Sequence, residues 1–323
     1  MPDEPALDHR PCVYLGPDLG AYGFGQGHPF GTDRMDAFWK EATQEGLESR
    51  VRICEPVHAD RALIERFHTP GYVVWVVELS ARGQGFLDMG DTPAVPGIFE
   101  AASAVVGSVV DAARKLLDRD CPAAFVPIAG LHHARRHRAS GFCVFNDCGV
   151  VIEYLKAVYG LRRIAYVDID AHHGDGVFYE FQSDPAVWIA DIHQDGRTLF
   201  PGTGSESEVG RGSAEGTKLN LPQAPGADDE AFHAAWNRVE EHLDRAHPEF
   251  IILQCGADSI AGDPLASLAF SPDAHGWAAA RLMQRSAKCR GGLLALGGGG
   301  YSRSNLARAW SRAVLAMADT AGG

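Results

Sequence analysis

The chain has 323 residues, 46% of them hydrophobic and 22% charged, the balance of an ordinary soluble globular protein. Against 29 basic residues stand 42 acidic ones; the resulting net charge of −13 argues against a generic nucleic-acid binder and suits a cationic small molecule or a lysine-rich peptide as partner. No apolar run approaches the roughly eighteen residues of a membrane span, and residues 1–10 are polar and acidic, so neither a span nor a secretory leader is expected. Seven cysteines, at 12, 54, 121, 143, 148, 255 and 289, contain no CxxC pair and point to reduced thiols in a cytoplasm.

In chain order, 12–15 reads as a first strand, followed by a glycine-rich loop over 16–31 and a helix that Asp33 caps. A strand near 51–53 and two helices, the second after Pro70, fill 50–80. A loop over 82–96 precedes a long, small-residue helix over 97–117, expected to be well buried. The next strand, 123–126, delivers Gly130-Leu-His-His-Ala134 and the basic Arg135-Arg-His-Arg138. Ser140-Gly-Phe-Cys-Val-Phe-Asn-Asp147 leads into a helix to about 159. Strands follow at 164–167 and 187–190; 205–217 reads as a surface loop. A helix over 228–246, a strand over 250–254, a helix over 272–286, a strand over 292–296 and a last helix from 302 complete the pattern. Strands alternating with helices predict a single-domain, three-layer α/β/α fold over 1–323, with a mostly parallel sheet of about eight strands. The length alone suggests two domains, but no linker or internal repeat divides the chain.

The chemistry concentrates after the strand at 164–167, where Asp168, Asp170, His172, His173 and Asp175 crowd one exit. In an extended segment Asp168, Asp170 and His172 can share a face, and Asp170 with His172 supplies the carboxylate and imidazole donors of a metal site. A solvated acidic turn is the alternative, although such a turn does not require so many titratable groups. Ligands of parallel sheets bind beyond the carboxyl ends of the strands. His132 and His133, Asp168 to Asp175, Asp191 and His193, Asp258 and Tyr301 all fall at such ends.

Six motifs in order now resemble one family, the zinc-dependent histone deacetylases of the arginase-deacetylase fold. They are Gly-Leu-His-His-Ala, Ser-Gly-Phe-Cys-Val-Phe-Asn-Asp, Val-Asp-Ile-Asp-Ala-His-His-Gly-Asp-Gly, Phe-Pro-Gly-Thr-Gly, Gly-Ala-Asp-Ser-Ile-Ala-Gly-Asp-Pro and Leu-Gly-Gly-Gly-Gly-Tyr. The Tyr22-Gly-Phe-Gly and Gly27-His-Pro-Phe30 stretches look closest to the class I-like bacterial branch that includes acetoin-utilisation deacetylases. The resemblance implies a hydrolase of acetyl-lysine in proteins or peptides, with Asp170, His172 and Asp258 as zinc ligands, iron(II) as an alternative ion, and a structural potassium ion. It implies His132 and His133 as the proton-transfer pair, oriented by Asp168 and Asp175, and Tyr301 as the carbonyl-polarising phenol. Gly141, Phe142 and Phe200 would line the acyl-lysine tunnel, with Leu265 and Asp91 at its rim, Asp91 holding a substrate backbone, and Arg34 near the inner end. The chain departs from the pattern at Asp191, where many relatives have a serine that helps bind the potassium.

Plainer readings stand beside these. His28, His58, His68 and His275 read as surface or core histidines, His193 as structural, Phe142 and Phe200 as core aromatics if not tunnel walls, and 135–138 as a solvated basic patch. An acetylpolyamine amidohydrolase is the alternative enzyme. No long insertion of the kind that narrows a polyamine entrance is present, and Asp91 favours a peptide. A catalytically silent binding module is disfavoured because every motif residue is in place, and a binuclear manganese site because the tandem histidines occupy its second position.

Overall fold

The structure, a computed structural model, describes residues 9–25 and 27–321; residues 1–8, within the polar start noted above, lie outside the described residues. The strands are β1 Cys12–Tyr14, β2 Arg52–Cys54, β3 Ala123–Val126, β4 Ile164–Asp168, β5 Val187–Gln194, β6 Lys218–Gln223, β7 Phe250–Gln254 and β8 Leu293–Leu296. The helices are α1 Pro17–Gly20, α2 Arg34–Gln44, α3 Arg61–Ile64, α4 Pro70–Arg82, α5 Ile98–Leu117, α6 Asp147–Tyr159, α7 Asp175–Phe181, α8 Asp229–Ala246, α9 Pro272–Ser286 and α10 Arg303–Ala321. All eight strands pair in parallel in one sheet, in the order β2-β1-β3-β8-β7-β4-β5-β6.

Helices on both faces explain why the strands are apolar at nearly every position rather than at every second one. Ile164 and Tyr166, Phe250 and Ile252, Leu294 and Leu296 point into one core with α5, α6 and α7. Their neighbours Ala165 and Val167, Ile251 and Leu253, Leu293 and Ala295 point into the other, with α2, α8, α9 and α10. Helix starts follow the local chemistry. Asn146 caps α6 by accepting the Gly149 N–H (2.8 Å), and Ser271 caps α9 ahead of a proline in its first turn.

Three elements depart from the expectation. β5 runs on to Gln194, so Asp191 and His193 lie inside a strand, where Asp191 pairs with Asp168 of β4 and Asn220 of β6. β6 itself was not anticipated. It is the edge strand, and Pro222 within it, a residue tolerated at sheet edges, weakens the strand pattern. α7 was missed as well, because its seven residues open on Asp175 and Gly176, which read as loop.

His68 lies buried under this frame, its Nε2 accepting the Asn146 N–H (2.9 Å), and burial pushes its pKa down to about 3. Below about pH 6.5 the unfolded chain takes up a proton there that the folded chain refuses. The stability is therefore full above pH 6.5 and is lost as pH falls towards 3, by about 2 kcal/mol over the first two pH units. Thermal unfolding from pH 7 to 4.5 is expected to show a smaller acid-induced fall in Tm for His68→Gln, whose amide oxygen can still accept from Asn146; an unchanged slope would assign the fall to other groups.

Candidate active site

Five adjacent strands, β3, β8, β7, β4 and β5, deliver every expected catalytic or metal-binding residue to the carboxyl edge of the sheet. The backbone turns immediately after β4, and the expected shared face holds only in part. Asp170 and His172 converge, whereas Asp168 turns to His132. A 3₁₀ turn after β7 brings Asp258 to the first two. One donor atom from each of Asp170, His172 and Asp258 lies within 4.8 Å of the others, all buried, and His172 Nδ1 is 3.1 Å from both Asp170 Oδ1 and Asp258 Oδ2. The other carboxylate oxygens are fixed by the protein: Asp258 Oδ1 accepts the Ala171 N–H (2.8 Å), and Asp170 Oδ2 accepts the Gly299 N–H and the Gln254 amide (both 2.9 Å). At Gly299 any side chain would strike the carboxylates of Asp258 and Asp170, so only glycine fits this approach.

The tandem histidines form a fixed pair. His132 Nδ1 meets Asp168 Oδ2 at 2.8 Å and His133 Nδ1 meets Asp175 Oδ1 at 2.7 Å, while the two Nε2 atoms face each other at 3.1 Å. Since both Nδ1 atoms donate to carboxylates, two bare Nε2 lone pairs at this distance would repel, and a single proton between them resolves the contact. The electrostatics agree. Burial lowers the His132 pKa, but Asp168 and Asp170 outweigh it and lift it to about 10; burial and then the charge of His132 push His133 down to about 4. Around the metal-ligand cluster, burial opposes protonation of His172 but Asp258 and Asp170 raise its pKa to about 10, and burial together with Asp170 pushes Asp258 up to about 7.

Tyr301 follows β8. Its backbone N–H donates to Asp263 Oδ2 (2.7 Å), and Arg34 locks the preceding glycines by donating to the carbonyls of Gly300 (3.0 Å) and Gly298 (2.6 Å) while stacked 4.0 Å over Phe30. Among the described residues the Tyr301 hydroxyl has no hydrogen-bond partner. Burial, with Asp258 and Asp170 nearby, holds the phenol well above its ordinary pKa, so it keeps its proton.

A channel leads to this centre. Phe142 sits 5.8 Å from the Tyr301 ring, in a left-handed conformation (φ 68°) held by Thr92 on its N–H and by the Tyr22 hydroxyl on its carbonyl. Phe200 lies 5.1 Å from His133 and 6.4 Å from His172. Between them is Gly141 (φ 54°), where a Cβ would come within 2.6 Å of the His133 ring and 3.0 Å of Phe200. Leu265 is part-exposed on the loop that Asp263 ties to Tyr301, and Asp91 lies exposed at the mouth.

Two plain readings are corrected. His28 is neither a core nor an isolated surface residue; its ring packs 4.6 Å from Phe142 and its Nε2 lies 3.1 Å from the Asp91 carbonyl. The basic patch over 135–138 is only half solvated, because Arg135 donates to Asp175 Oδ2 (2.8 Å) and Arg136 pairs with Glu153 and Glu180. His193 has the structural role expected, bonded to Asp191 (2.7 Å). Sequence reasoning gave no role to Asp147, which accepts the N–H groups of Gly130 and Leu131 and sets the histidine loop, nor to Gln254 and Asp263. Asp147 and Asp263 stand inside two of the motifs, but nothing in the sequence separates them from an ordinary helix-start or turn aspartate.

The comparisons agree with this geometry. The family model described as Histone deacetylase domain matches residues 28–317, and the chain belongs to the histone deacetylase family. Among its relatives, Histone deacetylase 6 of Arabidopsis thaliana is 35% identical over 93% of this chain and 65% of its own length. Histone deacetylase 9 of the same plant is 33% identical over 94% and 72%, and Histone deacetylase 1 of Homo sapiens 32% identical over 96% and 64%. The chain thus spans just under two thirds of the first and third relatives. These plant and human matches establish the family and not its bacterial branch.

Proposed function

We propose that the chain, as a single catalytic domain over 1–323, is a zinc-dependent amidohydrolase removing acetyl groups from lysine side chains of proteins or peptides, with iron(II) as the alternative ion. The observation that carries this reading is the convergence of the three-ligand cluster, the carboxylate-pinned histidine pair and the unpartnered phenol on one narrow cavity. The donors fit a dication: two carboxylates are buried around one imidazole, burial and then the charge of Asp170 push the pKa of Asp258 up, and a positive ion relieves both. Held by Asp170, His172 and Asp258, the ion would polarise the scissile carbonyl and make a water acidic.

This chain's own residues supply the remaining steps. The histidine pair takes the water proton and returns one to the leaving lysine amine, with Asp168 and Asp175 fixing the ring tautomers. Tyr301, a protonated phenol, donates to the developing oxyanion. Phe142, Phe200 and Gly141 sheathe the lysine stem, and Asp91 accepts from the substrate backbone. For the potassium ion, both Asp191 oxygens are already engaged by His193 and Gly174, leaving the carbonyls of Asp168, Asp170 and His172, with the Asp170 side chain, as its donors. Seven unpaired cysteines fit a reducing cytoplasm. Among the described residues no helix is long and apolar enough to cross a membrane.

The carboxylates of Asp88 and Asp91 at the mouth favour a second reading, an acetylpolyamine amidohydrolase drawn to cationic amines. Hydrolysis of an acetyl-lysine peptide and of acetylputrescine by zinc-loaded protein, with His133→Ala as background, decides: turnover of the polyamine alone would overturn the peptide reading. The cavity at the catalytic centre, lined by His132, His133, Asp170, His172, Gly299 and Tyr301, measures only about 20 Å³, which leaves no space for a long acyl chain beside the reacting groups. Acetyl-lysine is accordingly expected to be hydrolysed at least tenfold faster than its octanoyl counterpart, measured as kcat/KM on matched peptides.

A further inference from the structure

A second, larger concavity of about 800 Å³ opens beside the tunnel mouth, between the start of α4, the loop over 87–91 and the loop over 137–140. Its surface is unusual for a chain this acidic. Trp75 is 39% exposed, Met89 fully exposed and Phe200 45% exposed, so three large apolar side chains face solvent in one hollow. His137 and Arg138 also line it, both exposed and without an acidic partner among the described residues, unlike Arg135 and Arg136 beside them; the carboxylates of Asp88 and Asp91 share the lining. The hollow is continuous with the catalytic tunnel. Phe200 belongs to both, its ring 5.1 Å from His133, and Asp91 stands on the shared rim.

We propose that this groove is a substrate-selecting subsite for the peptide that carries the acyl-lysine, taking an aromatic or large aliphatic residue within three positions of that lysine against Trp75 and Met89 and a neighbouring acidic residue against Arg138 and His137. The inference rests on the deacetylase reading above and deepens it. The occupant is set by position and chemistry. A chain whose lysine stem passes Phe200 and leaves the tunnel across this hollow meets the apolar side chains of Trp75 and Met89, with Arg138 and His137 and the carboxylates of Asp88 and Asp91 around them. A free acetylpolyamine has no side chain for Trp75 and Met89; its amines would face Asp88 and Asp91 on the same lining and leave the apolar floor uncovered. Aromatic anchors in such hollows dominate recognition, and one well-buried ring changes specificity by about tenfold.

The test uses the full zinc-loaded chain and acetyl-lysine peptides carrying Phe or Ala, and Glu or Gln, at each of the three positions on either side. At one position Phe is expected to raise kcat/KM about tenfold over Ala, chiefly through KM. Trp75→Ala and Met89→Ala should shrink that ratio below threefold, and Arg138→Gln should abolish the advantage of Glu over Gln, with the thermal unfolding of each variant confirming that it folds. Peptides hydrolysed without any Phe preference, or a preference that survives Trp75→Ala, would overturn the subsite while leaving the deacetylase reading intact. If no peptide is hydrolysed, the deacetylase reading falls, and calorimetric binding of the same peptides to His133→Ala still judges the groove: equal affinity for the Phe and Ala peptides would overturn it too.

Discussion

His133→Ala is expected to lower kcat for acetyl-lysine peptide hydrolysis by about 10²–10⁴-fold, the range typical of a lost general acid–base group, while metal content and peptide affinity change little. The expectation follows from where the ring stands. His133 is the member of the pair that touches Phe200 and Gly141 on the tunnel side, so its ring is the one that a lysine stem between those walls reaches first. Asp175→Asn should reproduce part of the loss, because an amide can present its N–H to His133 Nδ1 and fix the wrong tautomer; its oxygen can still accept from Arg135, which loses only the opposing charge. Steady-state kinetics with metal analysis on each variant checks both. A His133→Ala enzyme with near-normal kcat would remove His133 from the chemistry and leave His132 as the sole candidate base.

Much of this centre was legible because its residues are local in sequence. Asp168 to Asp175 follow one strand without a gap, and His132 and His133 are adjacent, so strand-end reasoning alone gathered them. The joining of distant pieces was less visible. Asp258 meets Asp170 only because β7 pairs with β4, and sheet order follows from packing on both faces rather than from any short stretch. The supporting carboxylates were harder still. Asp147 and Asp263 act on backbone N–H groups of loops far away or out of register, and a sequence does not mark which buried acid serves a neighbour's main chain. The missed β6 and the overlong reading of the loop after Ala190 share one cause. An edge strand with a single buried face and a proline carries a weak apolar signal, and the polar Asp191 and His193 suggested an exit where the strand continues. The departure at Asp191 likewise becomes intelligible only with β5 extended, since His193, two residues on and on the same face, balances its charge.

Asp258→Asn is expected to reduce bound metal from about one ion per chain to less than a tenth, with deacetylation falling at least 10³-fold. The substitution is chosen to separate charge from architecture. Asn can keep an oxygen for the Ala171 N–H that Asp258 Oδ1 now accepts, so the loops after β4 and β7 stay joined, while the site loses one of its two formal negative charges. Asp258→Ala would remove both functions, leaving a buried N–H without a partner, and should in addition unfold at a Tm several degrees lower. Chelation of the wild type should likewise lower its Tm, since the ion binds the folded arrangement and not the open chain. Metal analysis, Tm and activity on the two variants together decide between the roles. Full metal occupancy in Asp258→Asn would show that the Asp170, His172 and Asp258 cluster does not hold the ion. Metal loss with an unchanged Tm would mean that the histidine and glycine loops are fixed by Asp147, Gln254 and Arg34, and that the ion serves the chemistry and not the fold.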